Sequence, residues 1–508
     1  MHLYSGASVG AAEQQWAQAS DQPTWILMQR AATAAQQVLA QHFPAELPVA
    51  VLCGSGNNGG DGLLLAANLH RARRPVTVWL KGEPRTGSDA ELAHAEAKKA
   101  GVVITNDLTA LPSPAVCVDA LLGTGFQGEP RGAIADAIRW LRRQPVPRIL
   151  AVDCPSGLNA STGAVGDPEC VVRAGHTVTF IGAKLGLFTG QGPGLTGAVS
   201  LHSLQVSMDG QPMLAHLLNA EDLHWPRRSA TTHKGAQGHV LVIGSGAGLW
   251  GAGMLAAEGA LVTGAGLVTA HLNPACHSAL LARAPEIMVR GDPVPHALQP
   301  RQTVVVGPGL GRDQAATMRW QTVCRLLTDA ALPPQGMVVD ADALWHLAAR
   351  PFQRPEWVLT PHPGEAARLL DCKVADIEAD RLQAAQNIQQ RYDGVVVLKG
   401  AGTVIAHAGH CSVLPFASGA MATGGLGDVL SGVIGALLAQ GLSASAAAES
   451  GAWLVTRAAL QRAHRQPVVR ATQVLDNLAE TAWHLGFRAE SRDSSALATR
   501  DASGRSIT

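Results

Sequence analysis

Charge is scarce in this 508-residue chain: Asp, Glu, Lys and Arg make up 15% of it, and 39 basic residues balance 39 acidic ones. A net charge of zero provides no electrostatic footprint for nucleic acid or an anionic membrane, so neither is expected as a partner. Aromatic residues are scarcer still, at 4%. The core is therefore left to Ala, Val and Leu, which suit closely packed layers of helix and sheet. No apolar run reaches the roughly 18 residues that a membrane-spanning helix needs. No basic segment followed by an apolar stretch opens the chain, so no secretory leader is expected. The eight cysteines (Cys53, Cys117, Cys154, Cys170, Cys276, Cys324, Cys372 and Cys411) never form a C-x-x-C pair. That spacing argues against zinc ligation and a disulfide framework, and for a reducing, cytoplasmic setting.

Hydrophobic residues, at 47%, are plentiful enough to exclude general disorder. The 55 glycines exceed the average share of roughly 7% and gather in short clusters, as in loops that approach a ligand closely. At roughly 150 residues per domain the length allows two to four domains.

Residues 11–42 read as one amphipathic helix. A repeating pattern follows: short apolar run, Gly-rich turn, apolar helix. Strands are expected at Val49–Cys53, Val76–Leu80, 115–119 and 149–153, with a helix over 63–72. Continuous Val/Ile/Leu runs alternating with helices predict a parallel sheet covered on both faces. The stretch 207–228, with Pro212, Asn219, Pro226 and Arg227–Arg228, reads as a connection. The pattern restarts at His239–Ile243 and continues through Leu267–His271, Thr303–Val306, 337–340, 357–360 and Val395–Leu398, with a helix over 428–440. The halves share no motif, so the chain reads as a fusion rather than a duplication.

In the first half a buried strand runs into Gly54-Ser-Gly56-Asn57-Asn58-Gly59-Gly60-Asp61-Gly62. Formally this is a G-x-G-x-x-G turn at a helix start, where backbone N–H groups can face a pyrophosphate. A dinucleotide oxidoreductase would also want an acid after the second strand, and Lys81 stands there instead. Two further strand ends carry acids: Asp119, followed by Gly123-Thr124-Gly125-Phe126-Gln127-Gly128-Glu129, and Asp153, followed by Cys-Pro-Ser156-Gly. A single strand-end Asp is most often a helix cap, but three such loops in one parallel domain face the same crevice.

In the second half, Thr360-Pro-His362-Pro-Gly-Glu365 follows a strand, and so does Lys399-Gly400-Ala401-Gly402-Thr403. Thr423-Gly-Gly-Leu-Gly427-Asp428 opens a helix, with consecutive glycines forming an anion hole of backbone N–H groups. Asp428 at that helix start can take a proton from a substrate hydroxyl, or hold the substrate in place. Gly307-Pro-Gly309-Leu-Gly311 is a further close-approach turn. The acids of Asp340-Ala-Asp342 fit either magnesium-bound phosphate or helix capping.

Taken in order, these motifs resemble the bifunctional NAD(P)H-hydrate repair enzyme family, from about Gly10 to Gly486. The resemblance implies an α/β protein with a Rossmann-like epimerase domain over 1–215, a ribokinase-like ADP-dependent dehydratase over 220–488, and a disordered tail over 489–508. It implies that Asn57, Asn58, Gly59, Gly60, Asp61, the loop Gly123 to Glu129 and Asp153 hold the hydrated nucleotide, NADHX or NADPHX. Asn58, Asp119 and Ser156 would bind a potassium ion. Ala252, Gly309, His362 and Asp428 would contact the hydrate in the dehydratase. Lys399, Gly400, Ala401, Gly402, Thr403 and Gly427 would bind ADP, used with Mg2+. Asp153 and Asp428 would be the catalytic carboxylates. In this family the C6 hydroxyl of the hydrate is phosphorylated, and phosphate leaves under the push of the ring nitrogen's lone pair. A homo-oligomer is the expected assembly. Trp250, Trp345 and Leu426 depart from the family's usual residues. The rival reading is a vitamin-precursor kinase fused to a non-catalytic nucleotide-binding module. Against it stands the complete polar set of the first half.

Overall fold

A computed structural model of the chain describes residues 1–246, 248–291, 293–294, 298, 302–327, 336–490, 499–500 and 506–507. They gather into two compact units: Met1–Asn219 with Pro361–Ala417, and Ala220–Thr360 with Ser418–Thr508.

The first unit is built on a seven-stranded sheet in the order Val103–Thr105, Val76–Leu80, Val49–Cys53, Val116–Ala120, Ile149–Val152, His176–Phe180, Ala198–His202. Every neighbouring pair is parallel. The central strands are buried along their whole length, which is why they read as unbroken apolar runs rather than alternating ones. Leu27, Leu39, Leu63 and Ala67 cover one face and Ile134, Ile138 and Leu141 the other. The chain leaves Val49–Cys53 toward Val76–Leu80 on one side, and later places Val116–Ala120 on the other. The loops leaving these two central strands therefore diverge to opposite faces and open a crevice at their carboxyl ends.

The segment expected as one helix over 11–42 is two, Gly6–Ser20 and Trp25–His42. Asp21 at φ 53° closes the first, its N–H donating to the Ala17 carbonyl, and Pro23 follows. A left-handed residue caps a helix rather than continuing it. The helix expected over 63–72 is Asn57–Arg71, because the glycine run itself forms the first turn. The strands expected at 115–119 and 149–153 are Val116–Ala120 and Ile149–Val152.

The stretch read as a connection contains a strand, Ala215–Leu217, too short to give a pattern. It pairs antiparallel with His2–Tyr4 and parallel with His410–Val413. His410–Val413 continues antiparallel to Val404–His407 and thence to Val395–Leu398. This ladder ties Pro361–Ala417 to the first unit. The chain divides between Asn219 and Ala220, and Pro361–Ala417 groups with the first unit.

The second unit holds six parallel strands in the order Met288–Arg290, Leu267–His271, His239–Ile243, Thr303–Val306, Gly336–Val339, Trp357–Leu359. The helix expected over 428–440 is Leu426–Ala439, entered through Gly425 at φ 93°. It lies tightly against Trp250–Val262: a Cβ on Gly432 would stand 1.9 Å from the Ala256 carbonyl oxygen. The tail expected to be disordered lies outside the described residues from 491 on, apart from the short pair Thr499–Arg500 and Ser506–Ile507.

Candidate active sites

The crevice in the first unit is a cavity of 510 Å³ at the carboxyl ends of the central strands. Asn57, Asn58 and Asp61 line it, as do Gly123 to Phe126, Asp153 and Lys81. Gly59 and Gly60 lie beneath it instead. A Cβ on Gly59 would fall 1.9 Å from the Gly54 carbonyl oxygen, so only glycine lets this helix start close on the strand end. Gln127, Gly128 and Glu129 do not line the cavity. They are exposed, and Glu129 lies against Gly166.

The three residues expected to bind a cation converge. Asp119 is fully buried. Its Oδ1 accepts from the Ser156 hydroxyl at 2.6 Å and its Oδ2 from the Ser156 N–H at 2.8 Å. Burial pushes its carboxyl up to about 6, against the pull of the hydrogen bonds from Ser156 and Leu121. Asn58, only 8% exposed, donates through Nδ2 to the Leu122 carbonyl at 2.9 Å. Its Oδ1 is buried with no hydrogen-bond partner. A buried carboxylate, an orphaned amide oxygen and nearby carbonyls form an all-oxygen set, the donor chemistry of a hard cation. Among the described residues no group of three or more His, Cys, Asp or Glu could hold a metal ion.

Asp153 follows its strand at φ 66°. Its Oδ1 accepts from Lys184 Nζ, and from the Thr179 hydroxyl and the Phe180 N–H, each at 3.3 Å. Lys184 is fully buried. It also donates to Thr179 Oγ1 at 3.0 Å and to the Phe180 carbonyl at 2.8 Å. Among the described residues nothing hydrogen-bonds to Asp153 Oδ2, which leaves that oxygen for the cavity.

Sequence reasoning missed four residues here: Glu13, Thr24, Asp89 and Lys184, all lining the cavity. Thr24 donates to Asp89. Burial raises the Glu13 carboxyl, and the Asp153 and Asp89 charges raise it further, while Lys184 opposes them. Asp61 is pushed well above the carboxylate range, by burial first and then by Asp153 and Glu13. Lys184 had a signal, being the lone Asp, Glu, Lys or Arg between Arg173 and Asp209. Glu13 is the only acid on its helix, and nothing in the helical pattern shows which way it faces.

Elsewhere in the first unit, His362 caps the helix Pro363–Leu370, its Nδ1 accepting from the Gly364 N–H at 3.0 Å. A neutral ring accepting at Nδ1 carries its proton on Nε2. Glu365 joins His362 to Lys399: its carboxylate lies 3.4 Å from His362 Nε2 and 3.9 Å from Lys399 Nζ. Beneath the loop Lys399 to Thr403, the buried Arg381 donates to the Leu398 and Lys399 carbonyls. Gly402, at φ 58°, accepts at its carbonyl from the buried Thr189 hydroxyl at 2.8 Å.

In the second unit Gly309, at φ 60°, lies where a Cβ would come within 3.1 Å of the Ala252 Cβ, so these two expected residues are neighbours. Asp428 stands in the first turn of Leu426–Ala439, with Gly427 beside it. The Gly427 carbonyl accepts from Ser431, whose hydroxyl also donates to Asp340 at 2.7 Å. Asp342 accepts from the Gly311 N–H and from Arg312. Both acids of Asp340-Ala-Asp342 are thus engaged by the protein itself.

A family model described as YjeF-related protein N-terminus matches residues 24–186, and one described as NAD(P)H-hydrate dehydratase matches residues 239–480. The chain is 42% identical over 436 residues to a bifunctional NAD(P)H-hydrate repair enzyme of Escherichia coli, covering 84% of this chain and 82% of that one. It is 37% identical over 500 residues to the protein of the same name from Vibrio cholerae, covering 94% and 98%. Among solved structures, a ribokinase-like superfamily protein from Enterococcus faecalis superposes with a TM-score of 0.50 at 27% identity, over 54% of this chain and 98% of that one.

Proposed function

The chain belongs to the family of bifunctional NAD(P)H-hydrate repair enzymes, and we propose on that premise that it restores hydrated nicotinamide nucleotides in two steps. The first interconverts the R and S epimers of NADHX and NADPHX. The second dehydrates the S form with ADP, yielding NAD(P)H, AMP and phosphate. The observation that carries this reading is that the similarity runs through both halves at once, over 84% of the chain. The vitamin-kinase alternative accounts for the second half alone and leaves the complete polar cavity of the first without a task.

In the first unit the hydrate occupies the cavity, its phosphates against the Asn57 helix start and the Gly123 to Phe126 loop. Asn58, Asp119 and Ser156 hold a potassium ion, which when bound supplies fixed positive charge beside the nucleotide. The orphaned Asn58 Oδ1 supports this fit. Asp153, anchored through Oδ1 by Lys184, turns Oδ2 to the substrate and moves a proton at the hydroxyl of C6. In the dehydratase Ala252, Gly309, His362 and Asp428 contact the hydrate, and Asp428 takes the proton of the hydroxyl as it is phosphorylated. The loop Lys399 to Thr403 takes ADP together with Gly427, with Mg2+ as the usual companion of nucleotide phosphates. Eight unpaired cysteines support a reducing, cytoplasmic setting.

The test is to add the purified chain and ADP to a prepared mixture of NADHX epimers and follow the near-ultraviolet absorbance of NADH. Recovery of NADH from both epimers, dependent on ADP, is the expected result. Phosphorylation of hydroxymethyl vitamin precursors, with no NADH formed, would replace this reading with the kinase.

A further inference from the structure

Asp153 is one carboxylate in a cavity that holds four. Glu13 comes from the helix Gly6–Ser20, Asp61 from Asn57–Arg71 and Asp89 from Asp89–Ala100. Two lysines line the same space, Lys184 and Lys81. The partners divide the acids into two kinds. Asp153 is tied to Lys184 and Asp89 to Thr24. Glu13 and Asp61 accept no hydrogen bond from any described residue. Their carboxyls are the ones that burial and the neighbouring charges raise. Between these two, Glu13 is the one delivered by a separate covering element. Gly6 at the start of its helix approaches Thr124 so closely that a Cβ would lie 3.0 Å from the Thr124 carbonyl oxygen. The Gly6 N–H donates to Ser161 at 3.0 Å. This helix is fixed across the loop that lines the cavity, and Glu13 reaches in from it, whereas Asp153 rises from the sheet.

Inverting a carbon that carries a hydroxyl next to a ring nitrogen needs two proton-handling groups in opposite states. One protonates the oxygen that leaves. The other takes a proton from the water that returns on the opposite face. We propose that Glu13 is the acid of the epimerase, working opposite Asp153 as the base. This deepens the epimerase reading and rests on it. Glu13 gives its carboxyl proton to the C6 hydroxyl, and the C6–O bond breaks with its electron pair leaving on water. The ring nitrogen's lone pair forms the second C–N bond, giving an iminium. Water adds to the other face of C6, forming the new C–O bond, and its surplus proton goes to Asp153. The proton returns from Asp153 to Glu13 through solvent. Nothing is oxidised or reduced, and one water leaves for each that adds.

The test uses the full chain with ADP and a mixture of NADHX epimers, so that its own dehydratase reports the S form as it appears. For Glu13→Gln the first phase, the S fraction, should keep wild-type speed. The second phase, fed by epimerisation, should fall about 100-fold or more, the usual loss for a general acid, with KM within about threefold of wild type. The wild-type epimerisation rate should fall as pH rises and Glu13 deprotonates in the field of Asp153, Asp61, Asp89, Lys184 and Lys81. That falling limb should vanish in Glu13→Gln. Glu13→Asp, which keeps the acid, should recover part of the rate and the limb. A Glu13→Gln second phase within about threefold of wild type, or an unmoved falling limb, overturns the proposal. Loss of NADP+ binding by Glu13→Gln in calorimetry, together with the rate, also overturns it, because Glu13 would then be structural. If wild type itself epimerises no faster than buffer, the reading of the first unit fails before Glu13 is at issue.

Discussion

Asp153 holds a left-handed backbone, a conformation that costs a non-glycine residue about 1–3 kcal/mol. What that conformation achieves is a carboxylate with one oxygen spent on Lys184 and the other facing the cavity. The consequence for mutation is specific. Asp153→Ala would leave Lys184 charged, buried and short of a partner, a loss of about 3–5 kcal/mol when buried pairs are broken. Asp153→Asn keeps an acceptor there and is the cleaner test. With ADP and mixed hydrate it should consume the S fraction at normal speed and then continue at the spontaneous epimerisation rate, read as a biphasic progress curve. A single wild-type phase would remove Asp153 from the mechanism. Asp119 makes a second residue-scale prediction. Folded, it keeps its proton to about pH 6; unfolded, it releases it near 3.8. Because the folded value is the higher, the group's contribution to stability is complete below 3.8 and is lost as pH rises through about 6. A cation held by the ionised carboxylate offsets that loss. Potassium chloride should therefore raise Tm, relative to N-methylglucamine chloride, more at about pH 8 than at about pH 5. Equal shifts at both values would count against a cation on Asp119.

Elements in this molecule are brought close by small residues. Gly432 faces Ala256 with no room for a Cβ, and a Cβ on Gly259 would lie 2.8 Å from the Val429 carbonyl oxygen, so Leu426–Ala439 and Trp250–Val262 touch backbone to backbone. The first of these helices carries Asp428 in its opening turn. Gly432→Ala should cost about 1–3 kcal/mol by overpacking, and should lower dehydratase turnover while leaving epimerisation of the R form intact. Equal loss of both activities would mean general unfolding instead. Elements of this kind were legible in the sequence where their length and burial gave a pattern. Val49–Cys53, Val76–Leu80, His239–Ile243 and Thr303–Val306 sit where continuous apolar runs placed them, because strands buried on both faces need no alternation. The Gly-rich turns after them were legible too, since close approach selects glycine. What escaped was short or depended on partners distant in sequence. Ala215–Leu217 spans three residues, with a register set by His2–Tyr4 and His410–Val413 rather than by its own sequence. The helix break at Asp21 hid inside one continuous Ala-rich pattern. Asp119, Asp153 and Asn58 could be singled out from strand ends, but Glu13 could not, because only the fold shows that its helix lies over the cavity.

At the scale of the whole molecule, a cut at the obvious boundary is not a clean one. A fragment ending at Asn219 would carry Ala215–Leu217 without His410–Val413, leaving backbone donors and acceptors on an open edge, the usual template for unwanted pairing. It would also lose the acceptor of Thr189 at Gly402. We expect such a fragment to melt at lower temperature than the first transition of the full chain and to self-associate at micromolar concentration, as read by calorimetry and light scattering. A monomeric fragment with an unchanged Tm would show that Pro361–Ala417 adds nothing to it. The same interleaving acquires another meaning when the chain is considered in time. Synthesis runs at about 5–20 residues per second, so the roughly 200 residues between Asn219 and Ala417 take about 10–40 seconds to emerge. Throughout that interval the first unit waits on the ribosome with its edge unfinished. A newborn chain is thus exposed to the wrong neighbour for longer than most small domains take to fold.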